Sequence, residues 1–399
     1  VSGAVPGDTS KIVWILGAGF SKPLGGPLLK EWFQDHLDYR VEQAFGAHAA
    51  AKELLRTFPK LRNTYAPHAT GHKEHDLRVP SLQKPWRDAE EFLTALDIAA
   101  RDGEAPHQKV VRDAIQNPYC EIAQQRKWDL VLDTATRYLA AATEFFVTDI
   151  ATESRVSEKW HPYFRWLKAL TPNDLVVTFN YDRVVEAASA INALEDPNSH
   201  PVHAPSPSED DWRTGNAVFG SRPTLLKLHG SVTWFKRTAS ESIEATDDPR
   251  DIIFDSGRLP VIGVPGPGKS EGVAKYLGSV WTHARTAVTQ ADTLVFIGYR
   301  FPTSDSKARS VLVEAVRAFA EERRRRQLPI VVRVVLGPRT ADNSHDIDRV
   351  EGILRWAVGS PRRSGEHAQV LVEPLWAEDF LSVFVRDELV RPVRWSADY

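Results

Sequence analysis

Cysteine is almost missing from this chain: Cys120 is the only one among 399 residues. One thiol excludes an internal disulfide and any cysteine-built zinc ribbon, so a reducing, cytoplasmic setting is expected. Methionine is absent altogether, where ordinary composition would supply several. No stretch approaches the roughly 18 consecutive apolar residues of a membrane-spanning helix, so no membrane partner is expected. Residues 1–10 lack the basic-then-apolar pattern of a secretory signal, which fits the same expectation. Neither sign of charge dominates, since 50 Lys and Arg face 53 Asp and Glu for a net charge of −3. Without a global positive field, direct nucleic-acid binding is not expected. Internal repeats and low-complexity tails are missing too. What remains is 42% hydrophobic and 26% charged residues, enough for a large core in one or two domains.

Buried parallel strands read as short, nearly unbroken apolar runs, because both their faces are covered. Such runs occur at 11–16, 174–179, 224–228, 292–297, 329–336 and 369–372. Helical patterns separate most of them, including a helix predicted from about 306 to 325. Alternating strands and helices predict an α/β fold, a doubly wound Rossmann-like parallel sheet. The stretch from 31 to 168 is mostly helical, with one helix opening at Asp88 and another from about Leu130 to Val147. It predicts a large helical insertion after the first strand, forming a second layer or lobe on a core of 11–30 and 170–375. A helix start is also predicted at Pro27, directly after the first glycine turn.

Three strings follow strand ends, where an open parallel sheet gathers its ligand crevice. The first is Gly17-Ala18-Gly19-Phe20-Ser21. Its glycines permit a tight turn and a close approach of backbone amides to phosphate oxygens, while Ser21 reads as a phosphate or ribose contact or a helix cap. Taken alone, a tight strand-to-helix turn explains it as well. The second is Thr178-Phe179-Asn180-Tyr181-Asp182. If extended, it points Asn180 and Asp182 the same way, offering the donors and acceptors that a ribose and a carboxamide need. The alternative is an Asx-type turn at the strand end. The third is Leu228-His229-Gly230-Ser231, whose imidazole suits acid–base work near neutrality if it is not simply a satisfied core histidine.

In this order the strings resemble the sirtuin superfamily: a Gly-Ala-Gly-x-Ser phosphate loop, an Asn-x-Asp motif and a His-Gly. Thr-x-Asn-Tyr-Asp, Leu-His-Gly-Ser with Trp234, and Gly298-Tyr299 followed by Phe301-Pro302 and Asp305 look like its bacterial sirtuin-like branch. That branch supplies NAD-hydrolysing effectors of anti-phage defence, and the similarity runs from about 11 to 385. The resemblance implies NAD as substrate and a glycohydrolase that releases nicotinamide and ADP-ribose. It implies catalytic roles for Asn180, Asp182 and His229, and a pyrophosphate cradle at Gly17, Ala18, Gly19 and Ser21. Gly298, Tyr299 and Asp305 are expected near the adenosine, although Asp305 also reads as a helix N-cap. Control by homo-oligomerisation, or by a separate ATPase-helicase or Argonaute-type partner, is expected as well.

Two departures from protein-deacylating sirtuins matter. A single cysteine cannot build their four-cysteine zinc module, so no zinc is expected, and Gly26-Pro27-Leu28-Leu29 replaces their Asp-Phe-Arg. Both favour water over an acyl-lysine as acceptor. A third departure is Arg300, which stands where the branch has Ser and leaves the adenosine side open. The alternatives to hydrolysis are a non-catalytic scaffold that binds NAD or ADP-ribose, and a deacylase. His68, His72, Glu74, His75 and Asp76 lie in a polar stretch without zinc-finger spacing and are not assigned a metal. Arg323–Arg326 read as a solvated helix C-terminus.

Overall fold

The computed structural model describes residues 10–28, 31–32, 35–47, 52, 54–55, 57–58, 89–102, 127–148, 158–195, 201–206, 222–237, 242–255, 257–264, 269–302, 305–360 and 367–391. Cys120, the polar 64–85 stretch with its histidines, and the Asp88 cap lie outside the described residues.

Six strands form one parallel sheet: β1 (Ile12–Leu16), β2 (Leu175–Thr178), β3 (Thr224–Lys227), β7 (Thr293–Ile297), β8 (Ile330–Val335) and β9 (Ala368–Glu373). Their order across the sheet is β3-β2-β1-β7-β8-β9. The chain therefore winds outward from β1 in one direction, then returns and winds outward from β7 in the other. This is the doubly wound, Rossmann-like arrangement, and its switch point lies between the carboxyl ends of β1 and β7. The pairing of Leu16 with Ile297 sets Gly17 and Gly298 side by side at that point.

The period of two along each strand divides the core between the two faces of the sheet. Ile12, Trp14 and Leu16 of β1, with Val295 and Ile297 of β7, join one cluster. Val13, Ile15, Leu294 and Phe296 join the other. Helices supplying residues to the first cluster include α1 (Ala18–Ser21), α2 (Asp35–Phe45), α3 (Ala89–Asp102), α4 (Lys127–Thr148), α5 (His161–Ala169), α6 (Val184–Glu195) and, near the end of the fold, α10 (Ala377–Val383). The second cluster is covered by α7 (Lys269–Gln290), α8 (Ser306–Arg325) and α9 (Ser344–Val358). Helix α4 is buried on all sides from Ala135 to Val147, as expected for a helix inside a core rather than on its surface.

Three features differ from the sequence expectations. No helix begins at Pro27 itself, since residues 26–28 are irregular; α1 starts earlier, at Ala18, and α2 is described from Asp35. Between β3 and α7 the chain makes a small antiparallel sheet of β4 (Gly230–Arg237), β5 (Ile243–Ala245) and β6 (Arg258–Ile262), ordered β5-β4-β6. Arg137 of α4 anchors it, donating to the carbonyls of Ile252, Asp255 and Arg258 at 2.7–2.8 Å. The arginines ending α8 are not all solvated. Arg323 is buried and paired with Asp292 at 2.5 Å, and Arg324 donates to the Val358 carbonyl at 2.6 Å.

Candidate functional site

At the switch point two glycine turns touch through their backbones. Gly17 N–H donates to the Ile297 carbonyl at 2.9 Å, and Gly19 N–H to the Gly298 carbonyl at 3.2 Å. Gly298 has φ +67°, and a Cβ there would lie 2.4 Å from the Phe20 nitrogen. Only glycine allows this approach. The expected cradle is thus altered: the amides of Gly17 and Gly19 already hold the neighbouring strand end. Ala18 is the exposed residue of the turn.

Ser21, expected to contact a phosphate or ribose or to cap a helix, is buried beside Asn180. Its hydroxyl accepts from Asn180 Nδ2 at 3.1 Å and helps to lower the Asp182 carboxyl. Asn180 Nδ2 also donates to the Gly17 carbonyl at 3.1 Å. The first two strings are therefore locked together, and their side-chain orientations are set before any ligand arrives. Asn180 and Asp182 follow the end of β2 without continuing the strand. Asp182 Oδ1 accepts from Val184 N at 3.1 Å, an Asx-type turn opening α6.

Burial pushes the Asp182 carboxyl up to about 6, against the pull of Lys227, the Val184 amide and Ser21. It is still ionised at neutral pH. Lys227, only 2% exposed, donates to the Asp182 carbonyl and to Glu186 Oε1 at 2.8 Å. Next along the chain, Arg183 donates through Nε to Glu144 Oε1 at 2.9 Å. This pair ties the Asn180–Asp182 loop to the buried face of α4.

Sequence reasoning passed over Glu144, whose one signal is a lone carboxylate within an apolar helical run. Burial raises its carboxyl to about 7, although Arg183 opposes the shift. Because the folded value exceeds the ordinary 4.5, the folded protein holds a proton that the unfolded chain releases between about pH 4.5 and about 7. Stability from this group therefore falls as pH rises through that window. Glu144→Gln should lose less stability than the unaltered protein over the same range. Melting temperatures of the two at stepped pH check this, and parallel curves would contradict it.

His229 closes the third string at the edge of the small sheet. Gly230, at φ +86°, lets β4 turn against β6, where a Cβ would come within 2.0 Å of the Val261 carbonyl. The His229 carbonyl accepts from Gly263 N at 2.7 Å, and Trp281 Nε1 donates to the Leu228 carbonyl at 3.0 Å. His229 is 4% exposed, and its imidazole meets Phe179 edge-on at 4.9 Å. Phe179 stacks on Tyr299 at 4.0 Å, and a Cβ on Gly17 would meet the Tyr299 Cα at 2.6 Å. A continuous path of contacts thus joins His229 to the first glycine turn.

Tyr299 is buried, and its hydroxyl has no hydrogen-bond partner among the described residues. Asp305 lies at 6% exposure with Oδ2 3.7 Å from His229 Nε2. It precedes α8, yet its side chain does not cap that helix. Its neighbour is the imidazole, which neither the adenosine role nor the cap role anticipated. Arg300 points away toward α9, pairing with Asp346 at 3.0 Å.

Among the described residues, no group of three or more His, Cys, Asp or Glu is placed to hold a metal ion, and no helix is long and apolar enough to cross a membrane. No curated protein matches the chain in sequence. Two solved structures illustrate a distant likeness. A Sir2 homologue in complex with NAD is 13% identical, with 95% of this chain and 88% of that one covered and a TM-score of 0.33. A mutant Sir2 homologue with ADP-ribose is 12% identical, with 95% and 90% covered and a TM-score of 0.37. Residues 174–346, which carry Asn180, Asp182, His229 and the edge from Gly298 to Asp305, match the model of a SIR2-like domain.

Proposed function

We propose that this protein hydrolyses NAD at the bond between nicotinamide and ribose. One observation carries the reading. At the sheet's switch point, Asn180 is fastened to both Gly17 and Ser21, and an unbroken set of ring contacts through Phe179 and Tyr299 leads to His229. An amide, a carboxylate and an imidazole thus lie along one strand-end edge, which supports reading that edge as a dinucleotide site. The SIR2-like match over 174–346 supports the same chemistry.

Nicotinamide leaves with the electron pair of the C1′–N bond, which neutralises its own ring and puts positive character on the ribose. Charge stabilisation and orientation therefore matter more than strong acid catalysis. Asp182, a carboxylate at neutral pH, accepts from the carboxamide NH₂. Asn180 positions the ribose or the incoming water. His229 takes a proton from that water as its oxygen bonds to C1′, so ADP-ribose, nicotinamide and one proton result. Ala18 and the locked turn around it face the pyrophosphate, and Tyr299 brings an unused hydroxyl to the same edge. By resemblance to the bacterial sirtuin-like branch, we read the protein as an NAD-depleting effector of anti-phage defence, controlled by self-assembly or by a separate ATPase-helicase or Argonaute-type partner.

Incubating the purified protein with NAD should release nicotinamide and ADP-ribose in equal amounts without any acyl peptide. Absence of nicotinamide release, with or without candidate partners, would contradict the reading.

A further inference from the structure

We propose that Asp305 is the positioning residue of His229, holding the imidazole in the tautomer and orientation in which it accepts a proton. The assignment rests on His229 acting as the proton acceptor in NAD cleavage, and its test separates the two.

Asp305 occupies the position before α8, where a carboxylate ordinarily bonds a helix amide. Here it makes no such cap, and its backbone N–H is bonded instead to the Pro302 carbonyl at 3.2 Å. The side chain turns inward to His229, with Oδ2 3.7 Å from Nε2 and both side chains 5% exposed. That separation is longer than a hydrogen bond, and catalytic contacts of this kind tighten once substrate is bound. Among the described residues, the rings packed on the imidazole include Phe179, Tyr181 and Trp281, at separations of 4.9, 6.3 and 6.4 Å. Of these only Tyr181 titrates, and burial together with Asp305 keeps its hydroxyl protonated. Tyr299 feels the same carboxylate, with Arg309 opposing it. Asp305 thus brings a carboxylate to within 3.7 Å of a ring otherwise met by aromatic side chains.

A carboxylate beside Nε2 favours the tautomer with the proton on Nε2, which leaves the lone pair on Nδ1. When Nδ1 takes the proton from water, the resulting imidazolium forms next to a fixed negative charge. Acid–base pairs of this design depend on the carboxylate for orientation and charge, and it does not itself take up the proton.

Two measurements test the pair. In ¹⁵N-histidine-labelled, ligand-free protein, neutral His229 should carry its proton on Nε2; an Nδ1-protonated ring would overturn the proposal whether or not NAD is cleaved. Asp305→Asn should lower kcat for NAD cleavage about 10–100-fold with KM little changed. The acid limb of its pH profile should move to lower pH, and Asp305→Glu should recover part of the rate. A raised KM at unchanged kcat would mean that Asp305 contacts the substrate and would refute the positioning role. If wild-type protein cleaves no NAD, the function proposed above fails, while the tautomer measurement still decides whether the pair exists.

Discussion

His229→Ala should reduce the rate of nicotinamide release by ~10²–10⁴-fold while leaving NAD affinity within a small factor of the original. In free energy that is roughly 3–5 kcal/mol of transition-state stabilisation. The split follows from the proposed roles, in which the imidazole acts on the attacking water and the switch-point edge holds the dinucleotide. Folding should survive the change. The backbone on either side of His229 is secured independently, by Gly263 N–H on the His229 carbonyl and by the Trp281 indole on Leu228. Truncation does remove the ring that Phe179 meets edge-on, so a modest loss of stability accompanies it. Isothermal titration with NAD and a nicotinamide assay on the same preparation separate the two effects. Equal loss of binding and rate would show that His229 holds the substrate. An unchanged rate would remove it from the chemistry.

The parallel sheet was legible because its strands carry their signal locally. In β1, β7 and β8 both faces are buried, so apolar runs such as Ile12–Leu16 and Thr293–Ile297 need no context. Helix α8 was legible for a similar reason, as its apolar stripe extends unbroken from Ala308 to Ala320. The small antiparallel sheet was not. Its pairing shifts register between Gly230 and Phe235, which breaks the period of two that marks a strand, and β5 is only three residues long.

The site shows the same division. Residue types at the strand ends could be read, but the bonds among them could not, since each joins distant segments. Ser21 looked like a phosphate contact because local sequence cannot show that Asn180, 159 residues away, bonds its hydroxyl. Asp305 looked like a cap or an adenosine contact because its position before α8 is a local fact, and its approach to His229 is not. Glu144 was invisible for a third reason. A carboxylate on the buried face of a helix is rare, and its justification, Arg183, comes from the Asn180–Asp182 loop.

Arg386→Ala should cost about 3–5 kcal/mol of stability, the usual consequence of removing one partner from a buried ion pair. Asp174, wholly buried at the start of β2, accepts from Ile12 N at 3.1 Å, Thr171 N at 2.8 Å and both terminal nitrogens of Arg386. Arg386 reaches further, to the Ser10 carbonyl at 2.8 Å and Thr171 Oγ1 at 3.1 Å. The clasp therefore gathers β1, β2 and the segment after α10 at the amino ends of the strands. Burial already raises the Asp174 carboxyl, with Arg386 as the leading opposing influence. Without the guanidinium that rise is less restrained, and the folded variant protonates Asp174 more readily than the unaltered protein does. Protonation removes the uncompensated charge, so the stability gap between the two should narrow as pH falls and widen toward neutrality. Arg386→Lys should recover only part of the loss, because an ammonium cannot reproduce the two-pronged contact. Urea unfolding of all three proteins at acidic and neutral pH tests this, and a gap independent of pH would show that lost packing, rather than the orphaned carboxylate, sets the cost. Since the clasp lies at the edge opposite the glycine turns, the fraction of Arg386→Ala that remains folded should release nicotinamide at the normal rate, which divides the residues that hold the sheet from those that act at its other end.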